Sequence, residues 1–566
     1  MHHASGAPDV LVVGAGPTGL TLACELARHG ISVRIIDQAD APSDKSKALG
    51  MHARTLEAFE TMGVAEELVA KGVKVHGVNN YANGKRIVHL SMDELETRYP
   101  YVLSLPQSET ERTLAQLLGR LGGSVGRPIQ LSGFSQDQGG VTATLRHADA
   151  RQEEVRARWL VGCDGAHSMV RKALGLPFEG SRYEEAFMLA DVRLEWELPD
   201  DEAHAFFSPD GIVATIPLPG GQHRLILDVP QEMADRDRTE VGIEHVRAIM
   251  DSRGLGWVRA HDPTWVATFR IHRRMVPSFR VGRVFLAGDA AHIHSPVGAQ
   301  GMNLGIQDAV NLAWKLALVT RGAGRPILLD SYQAERHPIA AATVSGTDLA
   351  TRVVTLRNPV GQALRNQLAG FLSSLEVVQH RLTRAVSGLV VNYRRSPIVA
   401  EHRAGLLDTV MGDPAAAETP RVSDWRDFGA APAAGDHAPD GTVFPPGGDA
   451  SARLFELLRT PRHTLLLFDG RAATAVGYRN LAEIARRVRD RYGDLVVAHI
   501  VVPRDAPPQG LAWDGSILLD PEGDLHHRYG AGSESLYLIR PDGYVGYRSQ
   551  PADGERFFPY LDAILA

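Results

Sequence analysis

Sulfur, excess basic charge and long apolar stretches are all scarce in this chain. Two cysteines, Cys24 and Cys163, occur in 566 residues, far apart and outside any CxxC or metal-ligand spacing. That argues against a disulfide framework and against a bound metal, and it fits a reducing cytoplasm. No apolar run approaches the roughly 20 residues of a membrane-spanning helix. The opening MHHASGAPDV lacks the apolar core of a secretion signal. A formal net charge of -7 supplies no basic field for nucleic acid or an anionic membrane. Internal repeats are absent as well. What is left is an ordinary globular composition, long enough for two to four domains.

The informative part begins at Val10. An apolar strand, Val10–Val13, runs into Gly14-Ala15-Gly16-Pro17-Thr18-Gly19, a helix over Thr21–His29 and a second strand, Val33–Asp37. This is a βαβ opening. Gly14 permits the tight turn, Gly16 lets backbone approach a pyrophosphate, and Gly19 lets the helix pack close on the strand. The helix start offers free amides to phosphate. Asp37, with Gln38 beside it, closes the second strand and places a carboxylate to accept from ribose hydroxyls. Together these features specify dinucleotide binding without choosing between FAD and NAD. A second such unit is missing: Gly122 to Gly126 has the wrong spacing, and Gly322-Ala323-Gly324 follows a helix.

Two later motifs select flavin. Cys163-Asp164-Gly165-Ala166-His167-Ser168-Met169-Val170-Arg171 resembles the DG motif of the class A flavoprotein aromatic hydroxylases. Arg283 to Gly288-Asp289 and His292, continuing through Pro296-Val297-Gly298-Ala299-Gln300-Gly301-Met302-Asn303, resembles their GD motif. The motifs keep the family's order and, with the phosphate turn, cover most of residues 9–340. Segments around Lys47 and Arg54, Arg98-Tyr99-Pro100, Glu109 to Arg112 and Arg273-Arg274-Met275 resemble the pentachlorophenol monooxygenase and phenol hydroxylase branch. The para-hydroxybenzoate hydroxylase branch has arginines where this chain has Lys45 and Lys47, and lysine lacks the bidentate fork.

The resemblance implies FAD as cofactor, NAD(P)H and O2 as co-substrates, and a flavin C4a-hydroperoxide that hydroxylates an electron-rich ring, a phenol or a polycyclic aromatic. It implies that Asp289 meets the ribitol and that Gly298, Gly301, Met302 and Asn303 precede and begin a helix whose amides face the flavin. Asp164 supports the FAD region, Gln107 matches a glutamine that reaches FAD, and Arg112 stands on the helix behind it. Catalytic candidates are Arg224 at the start of a middle strand, His294 beside the flavin position, and Pro296 in the wall on the oxygen side. His292 reads as a structural hydrogen-bonding group, the Arg336-His337 pair as a solvated helix end, and Tyr183 and Trp265 as core or pocket aromatics.

The fold class is α/β. A discontinuous Rossmann-type FAD-binding domain (9–180 and 276–395) receives an inserted β-sheet substrate domain (181–275). A linker or irregular stretch (396–450) leads to a thioredoxin-like domain (451–566) that resembles the tail of the same branch and lacks CxxC. The expected partner is a small aromatic substrate, with no nucleic acid and no membrane, and a homodimer is one form of the assembly. The rival readings are a tailoring hydroxylase of an aromatic polyketide, a flavin oxidase or dehydrogenase on the same fold, and a non-catalytic flavin-binding scaffold.

Overall fold

Val10–Val13 (β1) is four apolar residues with no polar alternation, and it folds as a strand buried throughout. The computed structural model to which it belongs describes residues 7–43, 48–234, 241–295, 298–354, 358, 376–405, 421–446, 451–470 and 475–566. Pro17 occupies the first turn of the helix Pro17–Arg28 (α1), where its missing N–H removes no helix bond. Val33–Ile36 (β2) and Trp159–Gly162 (β3) flank β1 in parallel, so all three strands end level with Gly14. Val284–Leu286 joins β3, and the sheet has six strands. Its carboxyl ends gather the phosphate turn, Asp37, the DG segment and the GD segment, as expected of a doubly wound sheet.

A second, eight-stranded sheet carries Glu179–Glu195 (β4), Glu202–Ser208 (β5), Gly211–Leu218 (β6), Gln222–Val229 (β7) and Arg259–Met275 (β8) in the order β8-β4-β7-β6-β5. Alternate residues of these strands share a face. Met188, Ala190, Val192, Val213, Leu225 and Leu227 are buried with Val246 and Met250 of the helix Ile243–Ser252 (α2). Their neighbours in sequence point to the opposite face.

By packing, the described chain forms two compact units. The first holds both of these sheets. The second takes Ala58–Gly63, Asn311–Glu335 and Val390–Ala566. The helices Gln300–Thr320 (α3) and Ile327–Val354 (α4) contribute to both, dividing after Val310 and after Glu335. The inserted sheet is therefore part of the first unit by packing. The stretch expected to be irregular supplies a strand, Ala400–Arg403, and a helix, Val422–Ala430, to the second unit. There His463–Phe468 runs parallel to Val496–Val502 and antiparallel to Ser535–Ile539, with apolar cores on both sheet faces.

Candidate flavin site

The phosphate turn is shaped by what its glycines touch. Gly14 has φ +102°, and a Cβ on it would collide with the carbonyl of Cys163; one on Gly19 would collide with the carbonyl of Gly14. A Cβ on Gly16 would meet nothing within 4 Å. Gly16 is thus the glycine that keeps the outer surface of the turn clear for a pyrophosphate. Asp37 holds the turn itself: its carboxylate accepts the Ala15 N–H at 2.7 Å and the Ala39 N–H at 2.8 Å, with Arg127 at 3.2 Å. Gln38 is exposed and accepts from Gln130 at 3.4 Å.

In the DG segment one Asp164 oxygen accepts the N–H groups of Met169 (2.6 Å) and Val170 (3.2 Å), while the other is buried with no partner. Burial pushes this carboxyl above the usual range against the hydrogen bonds from Ser168 and the backbone. A buried acceptor lacking a donor is costly, and a hydroxyl-rich cofactor would supply the donor. Arg171 spends its guanidinium on the carbonyls of Ala290 (3.0 Å) and Ala166 (2.9 Å), tying the DG segment to the GD turn.

The GD turn follows a fully buried strand. Gly288 has φ +60°, and Asp289 next to it is exposed. His292, 1% exposed, hydrogen-bonds Asp308 at 2.7 Å. Gly298 (φ +80°) and Ala299 (φ +53°) bring the chain to the start of α3. Asn303 secures that start with its side chain: its amide nitrogen donates to the carbonyls of Gly50 (2.9 Å) and Ala299 (2.7 Å), and its oxygen accepts the His52 N–H at 2.9 Å. Gly301 and Met302 stay half-buried in the first turn, whose amides have no helical acceptor. The His294 ring bonds the Ser295 carbonyl through Nδ1 at 2.8 Å, and its buried Nε2 has no partner. Burial drives its pKa down to about 4, against the bond to Ser295, so the ring is neutral and Nε2 is an acceptor.

The remaining expected site residues are held as follows. Arg112 lies on the exposed side of its helix with Glu109. Gln107 donates to Glu111 at 2.8 Å and accepts from Ala48 at 3.3 Å. Arg54 is buried and pairs with Glu57 at 3.5 Å. Lys47 and Pro296, like the side chain of Tyr183, lie outside the described residues. Arg224 is 1% exposed; Nε and Nη2 grip Asp191 at 2.6 Å each, and its guanidinium lies 4.8 Å from the Trp265 ring centre. Arg336, expected to be solvated, is instead buried against Asp308 at 2.7 Å. Asp308 was missed although it carries a signal: a lone acid inside the apolar stretch Leu304–Leu318 must find a partner. Both thiols are inert, Cys24 pushed up to about 12 and Cys163 well above its usual value, chiefly by burial.

Comparison with known proteins settles the family. A profile described as FAD binding domain matches residues 7–347. The chain belongs to the FAD-dependent aromatic monooxygenases. It is 38% identical over 552 residues to 6-methylpretetramide 4-monooxygenase of Streptomyces rimosus, covering 96% of this chain and 91% of that one. It is 33% identical to pentachlorophenol 4-monooxygenase of Sphingobium chlorophenolicum, over 98% and 96% of the two chains. An aklavinone-11 hydroxylase solved with FAD and aklavinone superposes with a TM-score of 0.75 at 25% identity, over 100% of this chain and 99% of that one. The cleared turn at Gly16, the unpartnered Asp164 oxygen and the exposed Asp289 fit FAD, and the monooxygenase uses NAD(P)H and O2 with it. Among the described residues no helix is long and apolar enough to cross a membrane.

Proposed function

We propose that this monooxygenase hydroxylates a planar polycyclic aromatic rather than a single-ring phenol, with the open face of the eight-stranded sheet as the floor beneath the rings. One observation carries this reading. Ala205, Ala214, Ile216, Ile226, Ala267 and Phe269 share the face turned away from α2, and each is only partly buried. With Leu189 of β4 between them they span five neighbouring strands, about 19 Å at ordinary strand spacing. Three of the side chains are alanine methyls, which leave depth for a flat ring system. The relatives acting on 6-methylpretetramide and aklavinone support the same reading. At one end of the floor Trp265, Asp191 and Arg224 form a row across three strands. The Asp191 grip makes Arg224 a positioning group for Trp265.

FAD, when bound, supplies the oxygen-activating chemistry that side chains cannot. The chain supplies the rest. The Gly14–Gly19 turn and Asp37 would hold the adenylate half, and Asp289 would accept from the ribitol. The start of α3 would set its positive dipole against negative charge on a bound flavin. His294, neutral at working pH, offers Nε2 to a substrate hydroxyl. The unreactive, buried thiols support a cytoplasmic setting.

The test is a panel of one-ring phenols and tetracyclic phenolic aromatics, scored by NAD(P)H consumption and by incorporation of one labelled oxygen atom from O2. Tetracyclic substrates are expected to show the higher kcat/KM. Better turnover of one-ring phenols would overturn the substrate reading, and H2O2 formation from every aromatic without oxygenated product would overturn the oxygenation.

A further inference from the structure

Three donors converge on one carboxylate at the centre of the first unit. Asp308, two turns into α3, is 0% exposed. Its Oδ2 accepts the Gly288 N–H at 3.0 Å and the His292 Nε2 bond at 2.7 Å, and its Oδ1 accepts from Arg336 Nε at 2.7 Å. Arg336 also donates through Nη2 to the Leu304 carbonyl at 3.1 Å. Close packing accompanies the charges. A Cβ on Gly305 would collide with Thr18 and come within 3.1 Å of the Gly288 Cα, and one on Gly288 would lie 2.7 Å from Thr18 Oγ1. The phosphate turn, the GD turn and α3 therefore touch at one point with no room for a side chain between them.

We propose that Asp308 is the positioning residue of the flavin site: with Arg336 as counter-ion it draws the GD turn onto α3, fixing both Asp289 and the start of α3 where FAD must meet them. The inference rests on the flavin site described above. A carboxylate suits the task because it accepts from backbone, imidazole and guanidinium at once. Burial pushes this carboxyl up, but Arg336 and His292 more than offset the push and keep it below the usual range, hence ionised. An amide in its place keeps the size, loses one acceptor and leaves Arg336 buried without its counter-ion.

The test measures FAD affinity, without substrate, in Asp308→Asn, Arg336→Lys and His292→Gln. Asp308→Asn should raise the FAD dissociation constant by about tenfold or more and alter the bound flavin's visible spectrum. At saturating FAD most of kcat should return, so the loss falls on the KM for FAD. Arg336→Lys, which keeps the charge, should lie between parent and Asp308→Asn. His292→Gln keeps a donor for Asp308 but loses the imidazole, so it too should weaken FAD binding, by less than Asp308→Asn, and it stands with Arg336→Lys if Asp308→Asn does not fold. A lower unfolding midpoint with parental FAD affinity and spectrum in Asp308→Asn and Arg336→Lys would overturn the proposal and leave a core ion pair. Because binding is read without an aromatic, failure of the substrate panel would leave it untouched. A parent chain that binds no FAD would overturn both.

Discussion

Glu335 and Arg336 are consecutive on α4, and each is almost completely buried, yet they serve different units. Arg336 belongs to the Asp308 cluster, whose other donors come from the GD turn. Glu335 belongs to a larger cluster in the second unit. Its carboxylate accepts from Arg540 (2.7 and 2.9 Å), Lys315 (2.6 Å), Asn311 (2.7 Å) and Ser396 (2.6 Å). Asp542 completes it, accepting from Trp314 at 3.1 Å. Burial raises the Glu335 carboxyl, but Arg540 and Lys315 override it and hold it well below the usual range, while burial brings Lys315 down to about 8. By burial and hydrogen bonding alone the two clusters look alike. What each one fastens decides its meaning: the first ends on backbone that shapes a cofactor site, the second on the Ser535–Ile539 and Val545–Gln550 hairpin and its neighbours.

The sharpest way to break this comparison is to remove a charge from the second cluster. Arg540→Met leaves Glu335 and Asp542 buried without their main donor, and a broken buried pair of this kind costs about 3–5 kcal/mol. Denaturant unfolding should show that loss while the FAD dissociation constant of the folded protein stays at the parental value. A fall in FAD affinity as large as that of Asp308→Asn would erase the distinction between the clusters.

Acid provides the next largest effect. His52 and His294 in the first unit and His463 and His499 in the second are each held down to about 4, mainly by burial. Unfolded histidine titrates near 6.5. Between these values the unfolded chain binds more protons, so stability falls as pH drops from about 6.5 to about 4 and is restored above 6.5. Each group contributes about 3 kcal/mol at most. Asp469 opposes this in the second unit: burial raises it to about 6, so its contribution favours the fold at low pH and is lost as pH rises through about 6. His463→Phe, which keeps an aromatic against Trp314, should flatten the pH dependence of the unfolding midpoint by close to one proton. A midpoint that does not move between pH 6.5 and 4 would contradict the buried, neutral state of all four rings.

The same contrast explains what could be read from sequence. The glycine turn, Asp164 and Asp289 were legible as motifs of fixed residue type and spacing, and Gly14 and Gly19 leave no room for a side chain. The strand Val10–Val13 was legible from its unbroken apolar run. Asp308, Arg336, Glu335 and Arg540 were not. Asp308 lies 28 residues from Arg336 and Glu335 lies 205 from Arg540, and no local pattern reports a pairing of that range. Arg336-His337 beside Pro338 reads as a helix end, whereas α4 continues through Pro338 to Val354. Arg224 shows a related limit, since its position on a strand was legible but its grip on Asp191 depends on cross-strand register.

The smallest predicted effect separates two aspartates of one motif region by exposure alone. Asp289 is exposed and Asp308 is fully buried, so Asp289→Asn should cost much less unfolding free energy than Asp308→Asn. If Asp289 accepts from the ribitol as proposed, the substitution removes a charge-assisted hydrogen bond of about 1.5–3 kcal/mol, which corresponds to roughly a ten- to hundredfold weaker FAD complex. Titration of the apo protein with FAD, beside denaturant unfolding without FAD, resolves the two quantities. An Asp289→Asn protein with parental FAD affinity would remove Asp289 from the flavin contacts and leave the Asp308 cluster fastening a turn with no ligand to hold.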